Sequence, residues 1–198
     1  MLYLYDNALV EDLDKSFNND VVNPVVRVIS PEQIFGVAAQ IQDDQISFPI
    51  VAVEREDSIQ IDQNLCNFTR IQKGIPAVFD KSTNNLYHER TIPINLSYVL
   101  TVLTTNQTDM DEIIREIIFK YTSMYFLKIQ IPYESKRDIT FGIVIDQNSG
   151  IQKKSGISEY TQTGQLYQSS ILLRCEGCVL VHYTPVHLKR GVTQLEVK

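Results

Sequence analysis

The segment PINLSYVLTVLT (residues 93–104), followed closely by DMDEIIREIIFKY (residues 109–121), gives the clearest structural signal in the chain. In the first segment every second residue from Ile94 to Val102 is apolar or aromatic, which predicts a long strand with one fully apolar face. In the second segment the apolar residues recur at the spacing of one helix face: Met110, Ile113, Ile114, Ile117, Ile118 and Tyr121. Because isoleucine is a weak helix former, packing on a sheet is expected to hold this helix.

The charges of this helix are also arranged favourably. Acidic side chains lie in its first turn and Lys120 lies in its last, which matches the helix dipole. The spacing further predicts ion pairs between Asp111 and Arg115 and between Glu116 and Lys120.

A second helix is predicted at the N-terminus, over Leu2–Phe17. Its apolar stripe is Tyr5, Leu9, Leu13 and Phe17, and the acids Asp6, Glu11, Asp12 and Asp14 fill its other faces. Val21–Ile29 contains Pro24 and Ile46–Glu54 contains Pro49, so both are predicted to be edge strands or extended segments. Between them, Ser30-Pro31-Glu32-Gln33 has the residues of a helix start, and a short helix is expected to about Gln40.

The remaining segments predict further strands. Residues 55–75 are expected to form a long loop or an extended segment, while Ala77–Phe79 and Leu86–Tyr87 flank a polar turn and predict a hairpin. The sequence also predicts strands at Tyr125–Ile131 and Ile139–Ile145, a polar loop at Gln147–Gln165 and the longest strand at Leu166–Tyr183. The residues from His187 to Lys198 are expected to be extended or loosely held. The chain is therefore predicted to be one α+β domain, residues 1–198, with a mostly antiparallel sheet packed by a strong amphipathic helix and with long loops or extended edge segments.

Composition restricts the function. Of the 198 residues, 43% are hydrophobic and 21% charged, which is ordinary for a folded domain. The first residues lack the basic start of a signal peptide, and no apolar stretch is long enough for a spanning helix, so we expect a cytoplasmic protein with no membrane partner. The net charge is −6, and the nearest approach to a basic patch is Lys153-Lys154, so tight binding to nucleic acid is not expected.

Cys175-Glu176-Gly177-Cys178 is the motif with the greatest chemical potential, because two cysteines at this spacing can form half a zinc site or a redox pair. His182 and His187 could complete such a zinc site. In a regular strand, however, the two cysteines point to opposite faces with their Cα atoms about 10 Å apart. Only a bulge at Gly177 would bring them together, so we expect structural cysteines with neither metal nor disulfide.

Other candidate groups point to chemistry more weakly. The sequence contains no serine in a nucleophile elbow, so the three histidines, His88, His182 and His187, have no local partner for a hydrolase triad. The turn Glu134–Asp138 is expected to be a solvated connection or a protein contact. Asp146-Gln147-Asn148-Ser149-Gly150 begins like a calcium loop, but Ile157 stands where the closing glutamate should be. We therefore assign no catalytic, cofactor-binding or metal-binding residue and no cofactor.

The order of elements across Ile92–Asp146 resembles the tail terminator proteins of contractile-tailed, T-even-like bacteriophages, also called tail completion and sheath stabiliser proteins. The resemblance is carried by the strand Pro93–Thr104, the acidic-start helix Asp109–Tyr121, and the turn Ile131-Pro132-Tyr133-Glu134-Ser135-Lys136-Arg137-Asp138-Ile139. The N-terminal segment Leu2–Asp6 is also similar. About a quarter of the chain shares the pattern closely, and the long proline-rich C-terminal extension that such proteins can carry is not evident here.

The resemblance implies a non-enzymatic virion protein, located in the tail neck after assembly in the host cytoplasm. It implies a homo-oligomer, most simply a hexameric ring, that ends the tail tube, holds the last sheath ring and joins the head connector while DNA passes through its lumen. We expect ring contacts from extended segments at Val21–Ile29, Arg55–Gly74 and Gln147–Gln165. The alternative is a small cytoplasmic enzyme or ligand-binding domain that uses His182, Cys175 and the Glu134–Asp138 turn.

Overall fold

The computed structural model describes residues 1–17, 22–29, 48–62, 77–80, 85–88, 91–132, 138–149, 151–154, 167–181 and 186–187. These residues form an α+β fold with helices α1 (Leu2–Phe17) and α2 (Gln107–Tyr121). The strands are β1 (Val25–Val28), β2 (Ile50–Arg55), β3 (Gln60–Ile61), β4 (Ala77–Asp80), β5 (Asn85–His88), β6 (Thr91–Thr104), β7 (Tyr125–Gln130), β8 (Asp138–Ile145), β9 (Ile151–Lys154), β10 (Tyr167–Val181) and β11 (Val186–His187).

A large curled sheet organises the described residues. Its strand order is β1-β2-β6-β10-β8-β7, with β3 added to β6 and β9 added to β10. Only the β1–β2 pair is parallel, and the other pairs of this sheet are antiparallel. A second sheet has the order β11-β5-β4, and its β4–β5 pair confirms the predicted hairpin strands. The predicted fold class is therefore confirmed.

Both helices pack on one face of the large sheet, which we call the inner face. The alternating residues of β6 predicted to be apolar, from Ile94 to Val102, are all buried there. The apolar side of α2 is buried against β6, β8 and β10, as its periodicity predicts. Asn106 caps α2 by accepting a hydrogen bond from the Thr108 N–H at 3.0 Å, which satisfies one of the first free donors of the helix.

Helix α1 lies across the sheet and contacts strands at both ends of the strand order, β1 and β7. Its four predicted apolar residues, Tyr5, Leu9, Leu13 and Phe17, are all buried. The acids were not all predicted correctly, because Asp6 and Asp12 are largely buried and bind partners across the inner face. The apolar periodicity gave the buried stripe but not the polar anchors beside it.

Some predictions for the segments between the main elements were wrong. Ile46–Glu54 is not an edge strand, because β2 pairs with both β1 and β6. Pro49 lies just before β2 and needs no ladder donor there, and its carbonyl accepts a hydrogen bond from the Val25 N–H at 2.9 Å. The predicted loop Gln147–Gln165 contains β9, whereas β3 in the described part of residues 55–75 agrees with the extended segment expected there. Val25–Val28 is a terminal strand, as Pro24 predicted.

Other predicted elements lie outside the described residues. They are the short helix expected after Ser30, the rest of the long loop after Asp62, most of the turn Glu134–Asp138, and the segment that follows His187. The remaining long strands agree with prediction, since Tyr125–Ile131, Ile139–Ile145 and Leu166–Tyr183 correspond to β7, β8 and β10.

Candidate functional site: the open sheet face and its edge

The face of the large sheet opposite the helices, here called the outer face, contains an open polar groove of about 610 Å³. Gln60 and Asp62 lie on one side of it and the turn after β8 on the other, while β6 and β10 form its floor. The lining residues are Gln60, Asp62, Asn95, Ser97, Asp146, Asn148, Leu172, Arg174, Glu176 and Gly177. Because successive strand residues point to opposite faces, the polar residues of β6 and β10 lie on the outer face and alternate with the apolar residues buried on the inner face.

The groove has an acidic balance, with the carboxylates of Asp62, Asp146 and Glu176 against the guanidinium of Arg174. Arg174 and Glu176 form an ion pair at 2.8 Å. The Ser149 hydroxyl donates to Asp146 at 2.7 Å and fixes that side chain at the end of the groove. A surface with this balance repels phosphate groups and attracts cations.

The outer face becomes apolar at β7, the last strand of the large sheet. Phe126 is 66% exposed, and Met124 beside it is also exposed. Both side chains lie over Gly142 of β8, where a Cβ atom would come within 2.3 Å of the Met124 sulfur. Glycine at this position therefore lets the methionine side chain lie directly against the backbone of the sheet.

A polar cluster on the inner face fixes α1 to α2 and β7. Lys120 binds the Asp12 carboxylate at 2.7 Å and also contacts the Asp12 carbonyl and the Ser16 hydroxyl. The Tyr121 hydroxyl donates to the same carboxylate at 2.7 Å, and the Lys120 ammonium lies 5.0 Å from the centre of the Tyr125 ring. Burial, with Asp12 beside it, raises the pKa of Tyr121. Lys120 thus binds Asp12 of the other helix, whereas the sequence predicted Glu116.

A second polar cluster fixes the start of α1 to the middle of the sheet. Arg55 donates to both oxygens of the Asp6 carboxylate at 2.9 Å, and the Tyr98 hydroxyl donates to it at 2.7 Å. Burial raises the pKa of Tyr98, and the neighbouring Asp6 carboxylate raises it further. Each group in this cluster has a partner, which is typical of a structural anchor.

Cys175 and Cys178 were predicted to lie on opposite faces, and this was wrong. A bulge shifts the β10–β6 register between them, and Gly177 within it has a φ of 77°. Both cysteines are consequently fully buried in the same core as free thiols. The hydrogen bond with Cys178 and burial together raise the pKa of the Cys175 thiol, which keeps it protonated.

The residues of the alternative enzyme hypothesis are only partly described. His182 and Glu134–Arg137 lie outside the described residues, and of His88 and His187 only the backbone is described, in β5 and β11. Asp138 begins β8 and forms an ion pair with Lys128 at 2.6 Å. Among the described side chains, no three His, Cys, Asp or Glu residues are grouped so as to hold a metal ion.

No protein-family model matches the chain, and no curated protein matches it. Neither helix of the described residues is both long and apolar enough to span a membrane. The outer groove and the apolar corner at β7 are two exposed surfaces of the described residues from which a function can be argued. The sequence did not predict either surface, because the residues of each come from strands far apart in the chain. The one sequence signal for an exposed face was the polar residues that alternate with the apolar ones along each strand.

Proposed function

We propose that this protein is a non-enzymatic structural subunit of a contractile bacteriophage tail. Copies of it form a ring, with six subunits the simplest number for a six-fold tail, at the end of the tail nearest the head. The ring ends the tail tube, stabilises the sheath and joins the tail to the head connector. The observation that carries the proposal is the two-sided large sheet. Helices cover its inner face, whereas its outer face has an open, polar and acidic groove over β6 and β10 and a buried apolar cluster of Ile29, Ile50, Ala52 and Leu103 near β1.

The acidic outer face suits the lumen of such a ring. DNA must move through the lumen without binding, and a protein holds DNA chiefly by neutralising its phosphates with lysine and arginine. In the groove, the cation Arg174 is already paired with Glu176, while Asp62 and Asp146 add negative charge. A lumen lined with these residues would repel the DNA backbone weakly and evenly.

The helix-covered face suits the outside of the ring. Phe119 of α2 is 75% exposed, and it borders a groove of about 300 Å³ between α1 and α2. An exposed aromatic residue beside a groove is a common anchor point in protein interfaces. On this proposal, the tube, sheath or connector proteins contact the ring through its helical side.

The position of the protein on purified tails tests the proposal directly. Electron microscopy with an affinity label on this chain should show one labelled ring at the head-proximal end of each tail. A label spread along the tube, or absent from that end, would refute the proposal. A monomer in dilute solution would not refute the proposal, because ring formation can require the tube.

Charge reversal tests the lumen assignment separately. A variant with Asp62→Lys and Glu176→Lys should give tails that deliver DNA more slowly, because the new cations bind passing phosphates. The matched control, Glu11→Lys with Glu112→Lys, changes the net charge equally on the helical side, and the tails that assemble from it should deliver DNA at the unchanged rate. If both variants deliver DNA at the same rate, the assignment of the outer face to the lumen is wrong.

A further inference from the structure

The two terminal strands of the large sheet run in the same direction. β1 is parallel to β2, and from β2 each step along the order β6, β10, β8 and β7 is antiparallel. Four reversals restore the original direction, so β7 points the same way as β1. In the described part of the chain, no strand pairs with the far side of either one.

This common direction decides how copies can join. A neighbour rotated about an axis along the strands brings its β1 beside β7 in parallel, with the helices of both copies on the same face. The contact is head-to-tail, and such contacts close into rings when the rotation permits. A symmetric β7–β7 contact would instead be antiparallel and would leave both β1 strands at the ends of a dimer.

The side chains of the two edges also match. Val26 of β1 is buried in the inner core, so Val28, two residues on and 54% exposed, belongs to the inner face as well. On β7, Ile129 is buried in the same core, which places Tyr125 and Leu127 on the inner face and Phe126 on the outer face. Joining the edges would therefore cover exposed apolar surface on the inner face without burying a charge there.

The outer face offers a second complementary contact. Arg27 of β1 is exposed and alternates with Val26 and Val28, so it lies on the outer face, as Phe126 of β7 does. A guanidinium over an aromatic face is a favourable contact in a partly desolvated interface. The backbone is also suitably oriented, because the Val25 N–H points to Pro49 beside β2, and so the backbone groups of Val26 and Val28 point away from β2.

We infer that β7 of one copy pairs in parallel with β1 of the next, so that one continuous sheet runs around the ring. The inference rests on the proposed ring-forming function and specifies its subunit contact. The occupant of the β7 edge is thus a second copy of this chain, bound by strand addition. The exposed Phe126 and Val28 are the apolar anchors of the contact, and Arg27 covers the Phe126 ring.

Cross-linking of mixed variants tests the contact. One variant carries Arg27→Cys and the other Lys128→Cys, both in a Cys66→Ser chain whose remaining cysteines are buried. Lys128 is exposed and lies on the outer face two residues from Phe126, which places it close to Arg27 of the next copy in the inferred register. Assembled on tails and treated with a short bis-maleimide, the mixture should give a cross-link between the two variants, and neither variant alone should give one. A Lys128→Cys cross-link to itself would indicate the symmetric contact and overturn the inference.

A second pair of variants tests the anchor. Phe126→Lys should weaken ring formation by about tenfold or more, whereas Ile61→Lys, on a similarly exposed apolar residue of β3, should leave ring formation unchanged. Equal loss in both variants would overturn the edge contact. Labelled rings on tails without the mixed cross-link would refute this inference alone, and absence of any ring would refute the proposed function.

Discussion

Replacing Tyr5 with phenylalanine should destabilise the protein well beyond the loss of one ordinary surface group. The Tyr5 hydroxyl donates to the Val179 carbonyl at 2.8 Å and accepts from the Val179 N–H at 2.9 Å. Its ring packs edge-on against Phe141 with the ring centres 4.9 Å apart, and phenylalanine would keep that contact. The substitution therefore removes only the hydroxyl and its two hydrogen bonds.

Val179 depends on this hydroxyl because, among the described residues, the sheet gives it no other partner. The β8 ladder along β10 ends at the Glu176–Gly142 pair, before Val179 is reached. On the other side, Val179 lies opposite Pro93, which has no N–H to donate and whose carbonyl accepts the Asp62 N–H at 3.1 Å instead. Each buried polar group left without a partner costs about 1–3 kcal/mol. Because Val179 is only half-buried, water can satisfy part of this demand, and we expect a total loss of about 2–4 kcal/mol.

Urea unfolding followed by circular dichroism measures this loss, since the chain has no tryptophan for a fluorescence signal. Tyr3→Phe is the matched control, because Tyr3 lies on the same helix and is 53% exposed, and its effect should stay within about 0.5 kcal/mol. A Tyr5→Phe variant as stable as the control would show that the hydroxyl does not hold α1 on the bulge of β10.

Four further predictions concern the core and its titration. Ile117→Asp should prevent folding, because it places an unpaired carboxylate in the core, and a soluble protein with an unchanged circular dichroism spectrum would contradict the packing of α2. Gly177→Ala should cost about 1–2 kcal/mol from backbone strain alone, since an added Cβ would lie 3.9 Å from its nearest neighbour; an unchanged urea midpoint would count against the positive φ. Metal analysis should find no stoichiometric zinc, whereas one zinc per chain that is lost in Cys178→Ser would overturn the structural role of the cysteines. Stability should fall as the pH rises above about 10, because burial raises the pKa of Tyr5 to about 12 in the folded state while the unfolded chain ionises first; thermal unfolding at increasing pH should show this, and an unchanged midpoint would refute it.

The sequence predicted those parts of the fold that depend on the chain's own periodicity. The alternation in β6 and the helical spacing in α1 and α2 follow from how side chains project from each element, so one segment is sufficient to recognise them. Pro24 also predicted a terminal strand correctly. Pro49 led to the wrong prediction for β2. A proline just before a strand removes no hydrogen bond between strands, and the sequence does not show whether Pro49 lies before the start of the strand or within it.

The order of strands could not be read from local patterns, and the candidate surfaces depend on it. The outer groove combines Gln60, Asn95, Asp146 and Glu176, which belong to four different parts of the chain. The polar anchors were missed for a related reason. Asp6 and Asp12 have the spacing of exposed helix residues, and only the positions of Arg55 and Lys120 in the folded sheet make them buried partners.

The bulge in β10 shows how one glycine changes both a prediction and the packing around it. In a regular strand Cys175 and Cys178 would face opposite sides, and that reasoning was sound for the geometry it assumed. Gly177 adopts a positive φ, shifts the register, and places both thiols in the core. A glycine inside a long strand signals such a bulge, and this signal was available in the sequence. The same shift places Val179 beyond the β8 ladder and within reach of Tyr5, so the cysteine pair and the attachment of α1 have a single structural cause. If so, Tyr5→Phe and Gly177→Ala should be coupled, and the double variant should lose less stability than the two single losses combined.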